Sequence, residues 1–221
     1  MTRRTFNTSH IQHMKIKFLL LVSAGALSQS LCQGQSTVNF AAGPTQRNVM
    51  IDAITPLPNG NYVEIGFFDS AFNVSANANN LSALDGAWHE FGFTTITSVF
   101  GQPNRFADSQ STADTLFDSQ KICFWIFRTS NDSAPTPDFS NVTGYGIYSN
   151  TNSNWLFPNQ GLTPPANTTS VSSSEVTEAF FGSFDVNSLF LAPIPEPSTM
   201  GLFAIGLGTF ALGCLRRRGG I

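Results

Sequence analysis

Lys121-Ile122-Cys123-Phe124-Trp125-Ile126-Phe127-Arg128 is the stretch that decides the fold of this 221-residue chain. Six consecutive apolar residues lie between two charged ones, a pattern that predicts a β-strand buried on both faces of a sheet. Each Phe or Ile buried there contributes roughly 1.5–3 kcal/mol through the apolar area removed from water. We therefore expect this run to lie at the centre of the hydrophobic core.

The residues around this run favour strands and turns. Phe, Val, Ile, Asn, Thr, Ser and Gly dominate residues 35–193, and Lys and Glu are scarce. Val49–Ile54 and Tyr62–Phe68 flank an Asn59-Gly60 pair, which predicts a hairpin because Asn-Gly accepts the positive φ values of tight turns. Further strands are expected at Val38–Ala41, Phe91–Thr97, Tyr145–Tyr148, Trp155–Phe157 and Ser183–Leu191.

Short helical turns are expected at two places, Leu81–Asp85 and Glu175–Phe181, each followed by a glycine. Ser172 and Glu175 have the spacing of a capping box at the start of the second turn. Residues 158–174 are polar and predict a long loop. Many short strands with Gly, Pro and Asn turns together predict a mainly β fold, a single domain of the β-sandwich or jelly-roll type.

The N-terminus has the pattern of a secretory signal peptide over residues 1–34. Lys15 and Lys17 precede an apolar run, residues 18–27, and small and polar residues follow it. That run is too short for an ordinary transmembrane helix. Met14 begins a Met-Lys-Ile-Lys sequence and is an alternative translation start. The predicted folded body is therefore residues 35–193.

The C-terminus has the pattern of a membrane-spanning helix over residues 198–215, which carry no charge. Eighteen residues form a helix of roughly 27 Å, close to the ~30 Å hydrocarbon core of a bilayer. The cluster Arg216, Arg217 and Arg218 follows directly, and by the positive-inside rule it places the C-terminus in the cytoplasm. The alternative, a buried helix of a soluble domain, does not explain three consecutive arginines at this position.

The order of these features resembles the PEP-CTERM sorting signal of Gram-negative bacteria that make extracellular polysaccharide. Pro195, Glu196 and Pro197 form the sorting motif, followed by a glycine-rich apolar segment and the arginine cluster. The resemblance implies that exosortase, a membrane-embedded cysteine transpeptidase, processes the tail at the inner membrane and passes the protein to the cell surface. It covers only residues 194–221 and implies nothing about the fold of the body, whose family stays unidentified.

The charge of the body excludes one class of partner. Residues 35–193 contain four basic and thirteen acidic residues, a net charge of −9. Such a surface repels nucleic acids and other polyanions, which would need bridging cations to bind. We expect no nucleic-acid partner, and an extracellular polysaccharide is a candidate partner.

The sequence offers no recognisable catalytic site. His89 is the one histidine of the body, and no Gly-x-Ser-x-Gly elbow accompanies it. One His and one Cys are too few for a zinc site, and Cys123 in its apolar strand is expected to be inert. We expect no enzyme activity, no cofactor and no metal. Calcium is an open alternative at a serine-rich segment that contains Asp108, Asp114 and Asp118.

Three functions are compatible with these features of the sequence. The leading interpretation is a non-catalytic, exported cell-surface or matrix protein, supported by the signal peptide and the tail. The first alternative is a secreted carbohydrate-binding module, in which aromatic rings would stack on sugars; the candidates are Trp88, Trp125 and Trp155, each expected to be buried instead. The second alternative is a hydrolase with an unfamiliar site, at His89 or at paired acids.

Overall fold

The computed structural model describes residues 34–160 and 167–194. The predicted signal peptide, except for its final residue Gly34, lies outside these ranges. The predicted transmembrane helix at 198–215 lies outside them as well. In chain order the described residues form thirteen β-strands: β1 Ser36–Ala42, β2 Asn48–Met50, β3 Tyr62–Phe68, β4 Trp88–Thr95, β5 Thr97–Val99, β6 Gln102–Thr112, β7 Cys123–Thr129, β8 Val142–Ser149, β9 Thr168–Ser172, β10 Glu178–Phe181, β11 Ser183–Phe184, β12 Ser188–Phe190 and β13 Ala192–Pro193. They also form one α-helix, α1 Leu81–Ala87, and three 3-10 helices, Ser75–Asn77, Thr115–Phe117 and Ser173–Glu175.

The central sheet has six strands in the order β10-β8-β7-β3-β4, with β13 pairing with the same edge of β8 as β10 does. β7 lies in the middle, antiparallel to both β3 and β8. Its side chains are buried on both faces, with Phe124 and Ile126 on one and Trp125 and Phe127 on the other. The prediction made from Lys121–Arg128 is confirmed.

A second sheet, in the order β5-β6-β1-β9, packs against one face of the central sheet. Phe40 of β1 and Phe106 of β6 both contact Phe124, with ring centroids 6.4 and 5.7 Å away. A small third sheet, β11-β12-β2, adds Val49 and Leu189 to the same core. The fold is mainly β and a single domain, as predicted, and the packing of the sheets is compatible with the predicted β-sandwich. Because β1–β9 and β2–β12 are parallel pairs, the finer jelly-roll assignment stays a prediction.

The other face of the central sheet is covered by helix α1 and by the loops at its ends. Leu84 and Ala87 of α1 pack in one cluster with Trp125, Phe127 and Tyr145. The Asn80 side chain caps α1 by accepting a hydrogen bond from the Ala83 amide, 3.1 Å away. The helical turn expected at Leu81–Asp85 is thus confirmed, and the central sheet has an apolar layer on each side.

The predicted hairpin between Val49–Ile54 and Tyr62–Phe68 is wrong. The first strand is shorter, Asn48–Met50, and it pairs with β12, whereas β3 pairs with β4 and β7. Gly60 does have the expected positive φ, at 95°. The linking segment crosses between two sheets because Leu57 is fully buried in the core and Asn61 is fully buried in a hydrogen-bond network.

Three other predictions need correction. The expected helical turn at Glu175–Phe181 is wrong: the capping box of Ser172 and Glu175 is present but opens a 3-10 helix, and Glu178–Phe181 is strand β10. Trp155–Phe157 makes only a β-bridge, between Lys121 and Leu156. The polar segment 158–174, expected as a loop, contains strand β9.

Candidate functional site

A large cleft lies where β3 ends and β7 begins. Its volume is about 540 Å³. It is lined by the segment 68–75 and by residues of two other segments, Gln120, Lys121 and Cys123 in one and Phe180 in the other. Hydroxyl, amide and aromatic groups share this lining, so the cleft suits a small polar ligand with an apolar face better than a purely apolar one.

His89 lies beside this cleft and is held by Asp69. Its Nε2 atom is 2.8 Å from the Asp69 Oδ1 atom, and its ring stacks on Phe67 with centroids 4.6 Å apart. In residues 34–160 and 167–194 no hydroxyl or thiol forms a hydrogen bond with His89. A catalytic triad needs a nucleophile on the other ring nitrogen, so this pair orients the histidine without completing a triad.

The lysine of the cleft is also engaged. The Lys121 Nζ atom is 2.5 Å from the Glu178 Oε2 atom and lies 5.4 Å from the centroid of the Phe180 ring. Both charged groups are part exposed, so the ion pair adds little stability. It does neutralise the cation, and the described lining of the cleft is left without a free positive group that could bind an anion.

Cys123 lies at the base of the cleft, and almost none of its surface is exposed. Burial raises the pKa of its thiol to about 12, while the nearby Ser149 hydroxyl and the Lys121 ammonium act in the opposite direction. At neutral pH the side chain is a thiol, and a thiol is a poor nucleophile. The structure thus gives a physical reason for the inertness expected from the sequence.

Two glutamates on the same face of the central sheet as helix α1 form the site that the sequence did not single out. Glu64 of β3 lies between Trp125 of β7 and Phe93 of β4 in the strand register. Glu90 is opposite Gly66, one pair further along the same face. Neither side chain lines the 540 Å³ cleft.

The environment of Glu64 favours its protonated form. Burial raises the pKa of Glu64 to about 8, and the carboxylates of Glu90 and Asp85 act in the same direction, while the Trp88 indole opposes them. Burial also raises the pKa of Glu90. A neutral carboxylic acid beside a second carboxylate is the arrangement that acid–base catalysis uses, although structural networks produce it as well. The signal in the sequence was a lone charge within the apolar strand Tyr62–Phe68.

The three tryptophans differ in exposure. Trp125 and Trp155 are fully buried, with at most 2% of their surface exposed, and they cannot stack on a ligand. Trp88 is half-buried and packs edge-on against Trp125, with centroids 5.4 Å apart. Towards the other end of β3, on the same sheet face, Tyr62 and Phe93 form a stacked pair 4.9 Å apart, and 45% of Phe93 is exposed.

The aspartates considered for calcium have local roles instead. Asp114 accepts a hydrogen bond from the Leu116 amide at the start of a 3-10 helix, and Asp118 accepts one from the Gln160 amide. Asp108 accepts one from the side chain of Gln110, 2.9 Å away. Across residues 34–160 and 167–194, no three His, Cys, Asp or Glu side chains come together in a way that could hold a metal ion.

The chain leaves the domain at strand β13. Pro193 pairs with Gly144 of β8, and the Ile194 amide donates a hydrogen bond to the Thr143 carbonyl oxygen, 3.2 Å away. The sorting motif predicted at Pro195, Glu196 and Pro197 and the arginine cluster Arg216, Arg217 and Arg218 lie beyond the described residues. Within the described ranges no helix is long and apolar enough to cross a membrane.

Comparison with known proteins identifies the tail. Residues 193–218 match the family model of the PEP-CTERM protein-sorting motif. The match includes the predicted sorting motif, the apolar segment and the arginine cluster, and it supports exosortase-dependent sorting of an exported protein that is anchored in the membrane before processing. No curated protein and no solved structure matches the chain.

Proposed function

We propose that this chain is a non-catalytic protein of the cell surface or extracellular matrix, delivered through exosortase processing of its C-terminal tail. The observation that carries the proposal is the matched sorting motif at residues 193–218. The match begins at Pro193 in strand β13, and among the described residues the final hydrogen bond to the central sheet is made by Ile194. The motif at Pro195, Glu196 and Pro197 thus comes directly after the folded domain in the chain, where an enzyme of the inner membrane can reach it.

The state of the reactive side chains supports a non-catalytic role. His89 is held by Asp69, Lys121 by Glu178, and Cys123 is buried as a neutral thiol. The negative charge of the body supports a neutral polysaccharide, rather than an acidic one, as the partner outside the cell.

Replacing Pro195, Glu196 and Pro197 by alanine tests the sorting proposal. We expect the full chain to stay in the inner-membrane fraction with its tail uncleaved, because the recognition motif is lost while the apolar segment is kept. Fractionation followed by intact-mass measurement of the protein reads out both location and cleavage. Val186→Ser, at an exposed turn, is the control and should be processed normally. Unchanged surface delivery of the triple variant contradicts the proposal.

A carbohydrate-binding function is the second candidate, favoured by the Tyr62–Phe93 stacked pair, which is on the same sheet face as Trp88. Aromatic rings on one exposed sheet face can pack against the apolar face of a sugar ring. A glycan array of neutral polysaccharides tests this, with Phe93→Ala as the variant expected to lose the signal. An array without hits removes the candidate and leaves the sorting proposal intact.

A further inference from the structure

Phe100 occupies a turn position that is unfavourable for it in two ways. It is the first of two residues that join β5 to β6, where Val99 pairs with Gln102. Both turn residues have positive φ, 50° at Phe100 and 77° at Gly101. Turns of this kind favour Asn-Gly because a bulky side chain is strained at positive φ. Phe100 is also 89% exposed, so neither local conformation nor core packing accounts for an aromatic residue here.

Ile54 is a second exposed apolar side chain at a rigid turn. The Asp52 Oδ1 atom accepts hydrogen bonds from the Ile54 and Thr55 amides, at 2.9 and 2.8 Å. The Ile51 amide closes the turn by donating to the Thr55 carbonyl oxygen, 2.8 Å away. The turn holds Ile54 with 88% of its surface exposed.

The connectivity places Phe100 at the end of the domain from which the chain departs. We call this the exit end; it consists of the start of β3, the end of β7, the start of β8 and strand β13. Thr95, the last residue of β4, pairs with Tyr62 at the start of β3. β5 begins two residues later, beyond the Ile96 amide that donates to the Asn61 carbonyl oxygen. The β5–β6 hairpin therefore projects from the exit end.

Ile54 lies at the same end by an independent route. β2 runs parallel to β12, which leads directly into β13. The Leu191 amide donates to the Met50 carbonyl oxygen, 3.0 Å away, so the turn that carries Ile54 follows beside the departing chain. Hydrogen bonds from Ile54 and Thr55 lower the pKa of Asp52, and the charge of Arg128, in the row of β7, β8 and β13, acts weakly in the same direction.

The sequence beyond Ile194 limits how far this end can be from a membrane. Only Pro195, Glu196 and Pro197 separate Ile194 from the uncharged segment 198–215. Fully extended, these residues span at most about 14 Å. If the segment is in the bilayer, the exit end is at the membrane surface.

We propose that the exit end is a membrane-docking surface, on which Phe100 and Ile54 insert into the lipid headgroup region of the bilayer that holds the uncleaved tail. This inference rests on the proposed function, because the tail has to be in the membrane. Two side chains bind lipid weakly on their own, but tethering raises their effective concentration to the millimolar range. Docking is thus a property of the uncleaved chain and is lost on processing.

Tryptophan placed at these tips reports on contact with lipid. The full chain is reconstituted into phosphatidylcholine vesicles, with and without brominated acyl chains, which quench nearby indoles. Phe100→Trp and Ile54→Trp are compared with the parent chain, so that the emission of the added residue is obtained by difference. Side chains that insert about 5–10 Å into the boundary between headgroups and acyl chains should lose a large part of that emission in brominated vesicles.

Val186→Trp is the matched control. Val186 is 83% exposed in the turn between β11 and β12, at the end of β12 away from β13. Its added emission should be the same in both kinds of vesicle. Two outcomes contradict the docking proposal in a chain that still floats with the vesicles. One is equal quenching at all three positions, and the other is no quenching at Phe100 and Ile54.

The Phe100→Asn variant tests whether the two tips dock together. Phe100→Asn should raise the urea midpoint of unfolding, because asparagine tolerates positive φ, and should reduce the quenching of Ile54→Trp in the double variant. Unchanged quenching in that double variant means that the two tips do not dock together and contradicts the proposal. A chain that does not float with vesicles at all refutes membrane anchoring by the tail, and with it both proposals.

Discussion

Asn61 is a fully buried polar residue that joins two segments of the chain, the connection before β3 and the end of β7 with the loop after it. Its Oδ1 atom accepts a hydrogen bond from the Thr129 amide, 2.8 Å away. Its Nδ2 group donates to the Pro58 carbonyl oxygen and to the Asp132 carboxylate, at 3.0 and 2.9 Å. The side chain thereby ties the connection between β2 and β3 to the end of β7, in addition to the backbone hydrogen bonds that this connection makes with Ile96.

Asn61→Ala should therefore be strongly destabilising. It leaves the buried Thr129 amide and the Pro58 carbonyl group without partners, at a cost of about 2–4 kcal/mol in the free energy of unfolding. Urea denaturation followed by tryptophan fluorescence measures the change. The exposed neighbour Asn59 is the control, and Asn59→Ala should change stability by less than about 0.5 kcal/mol. Similar effects at the two positions contradict this assignment.

Because of Glu64, the free energy of unfolding should fall as the pH rises from 4.5 to about 8. Its pKa in the folded protein is about 8, against an ordinary value of 4.5, so the folded state binds more protons than the unfolded state between these values. Glu64→Gln should be more stable than the parent by about 1–3 kcal/mol above pH 8, allowing for partial exposure. Below pH 4.5 this advantage should vanish. Urea titrations at several pH values measure the difference in the free energy of unfolding between the variant and the parent. A difference that does not change with pH would show that the pKa of Glu64 is not raised.

The two glycines of β3 and α1 differ in the space around them. A Cβ atom on Gly66 would lie 2.2 Å from the His89 carbonyl oxygen and 2.7 Å from the Trp88 ring. A Cβ atom on Gly86, in helix α1, would meet nothing within 4 Å. The same substitution should thus have opposite effects in the two elements.

We expect Gly66→Ala to destabilise the domain by about 2–4 kcal/mol, because the backbone of β4 has to move away. Gly86→Ala should stabilise it by about 0.5–1 kcal/mol, since alanine restricts the unfolded chain and favours the helix. Thermal unfolding of both variants measures these shifts. If both variants unfold at a higher temperature than the parent, the packing of β4 against Gly66 does not exclude a larger side chain there.

Elements with a strong local pattern could be predicted from the sequence, and elements defined by distant pairing could not. β7 begins with five consecutive apolar residues, Cys123 to Phe127, and α1 has a capping asparagine. β6 is the longest strand, eleven residues, but it contains only one fully buried apolar side chain, Phe106. What fixes β6 is its seven-residue register with β1, more than sixty residues earlier in the chain.

The same limit applies to the candidate sites. The tail was predictable because its motif, apolar segment and charges are contiguous. Glu64 and Glu90 are on the same sheet face because of the register of β3 with β4, which includes a bulge between Ile65 and Gly66. The hairpin at Phe100 was missed because its two turn residues do not have the Asn-Gly pattern that signals such turns.

At the scale of the whole molecule, Cys123 should report global unfolding. It lies in the middle strand of the central sheet, and burial keeps it a neutral thiol. In a full chain that carries Cys32→Ser and Cys214→Ser, alkylation at pH 8 should be roughly a thousandfold slower in the folded than in the urea-unfolded protein. Rapid alkylation of the folded chain would show that the strand opens locally.

The position of β1 has a consequence for the timing of folding during export. β1 is the first strand of the body in the chain, yet it lies inside its sheet, between β6 and β9. Its second neighbour, Thr168–Ser172, leaves a translocation channel about 130 residues after β1 does. The domain cannot complete this sheet while its chain is still threading across the membrane, so β1 lacks one of its two partner strands, and its edge has to be kept from pairing elsewhere, until the last quarter of the chain has arrived.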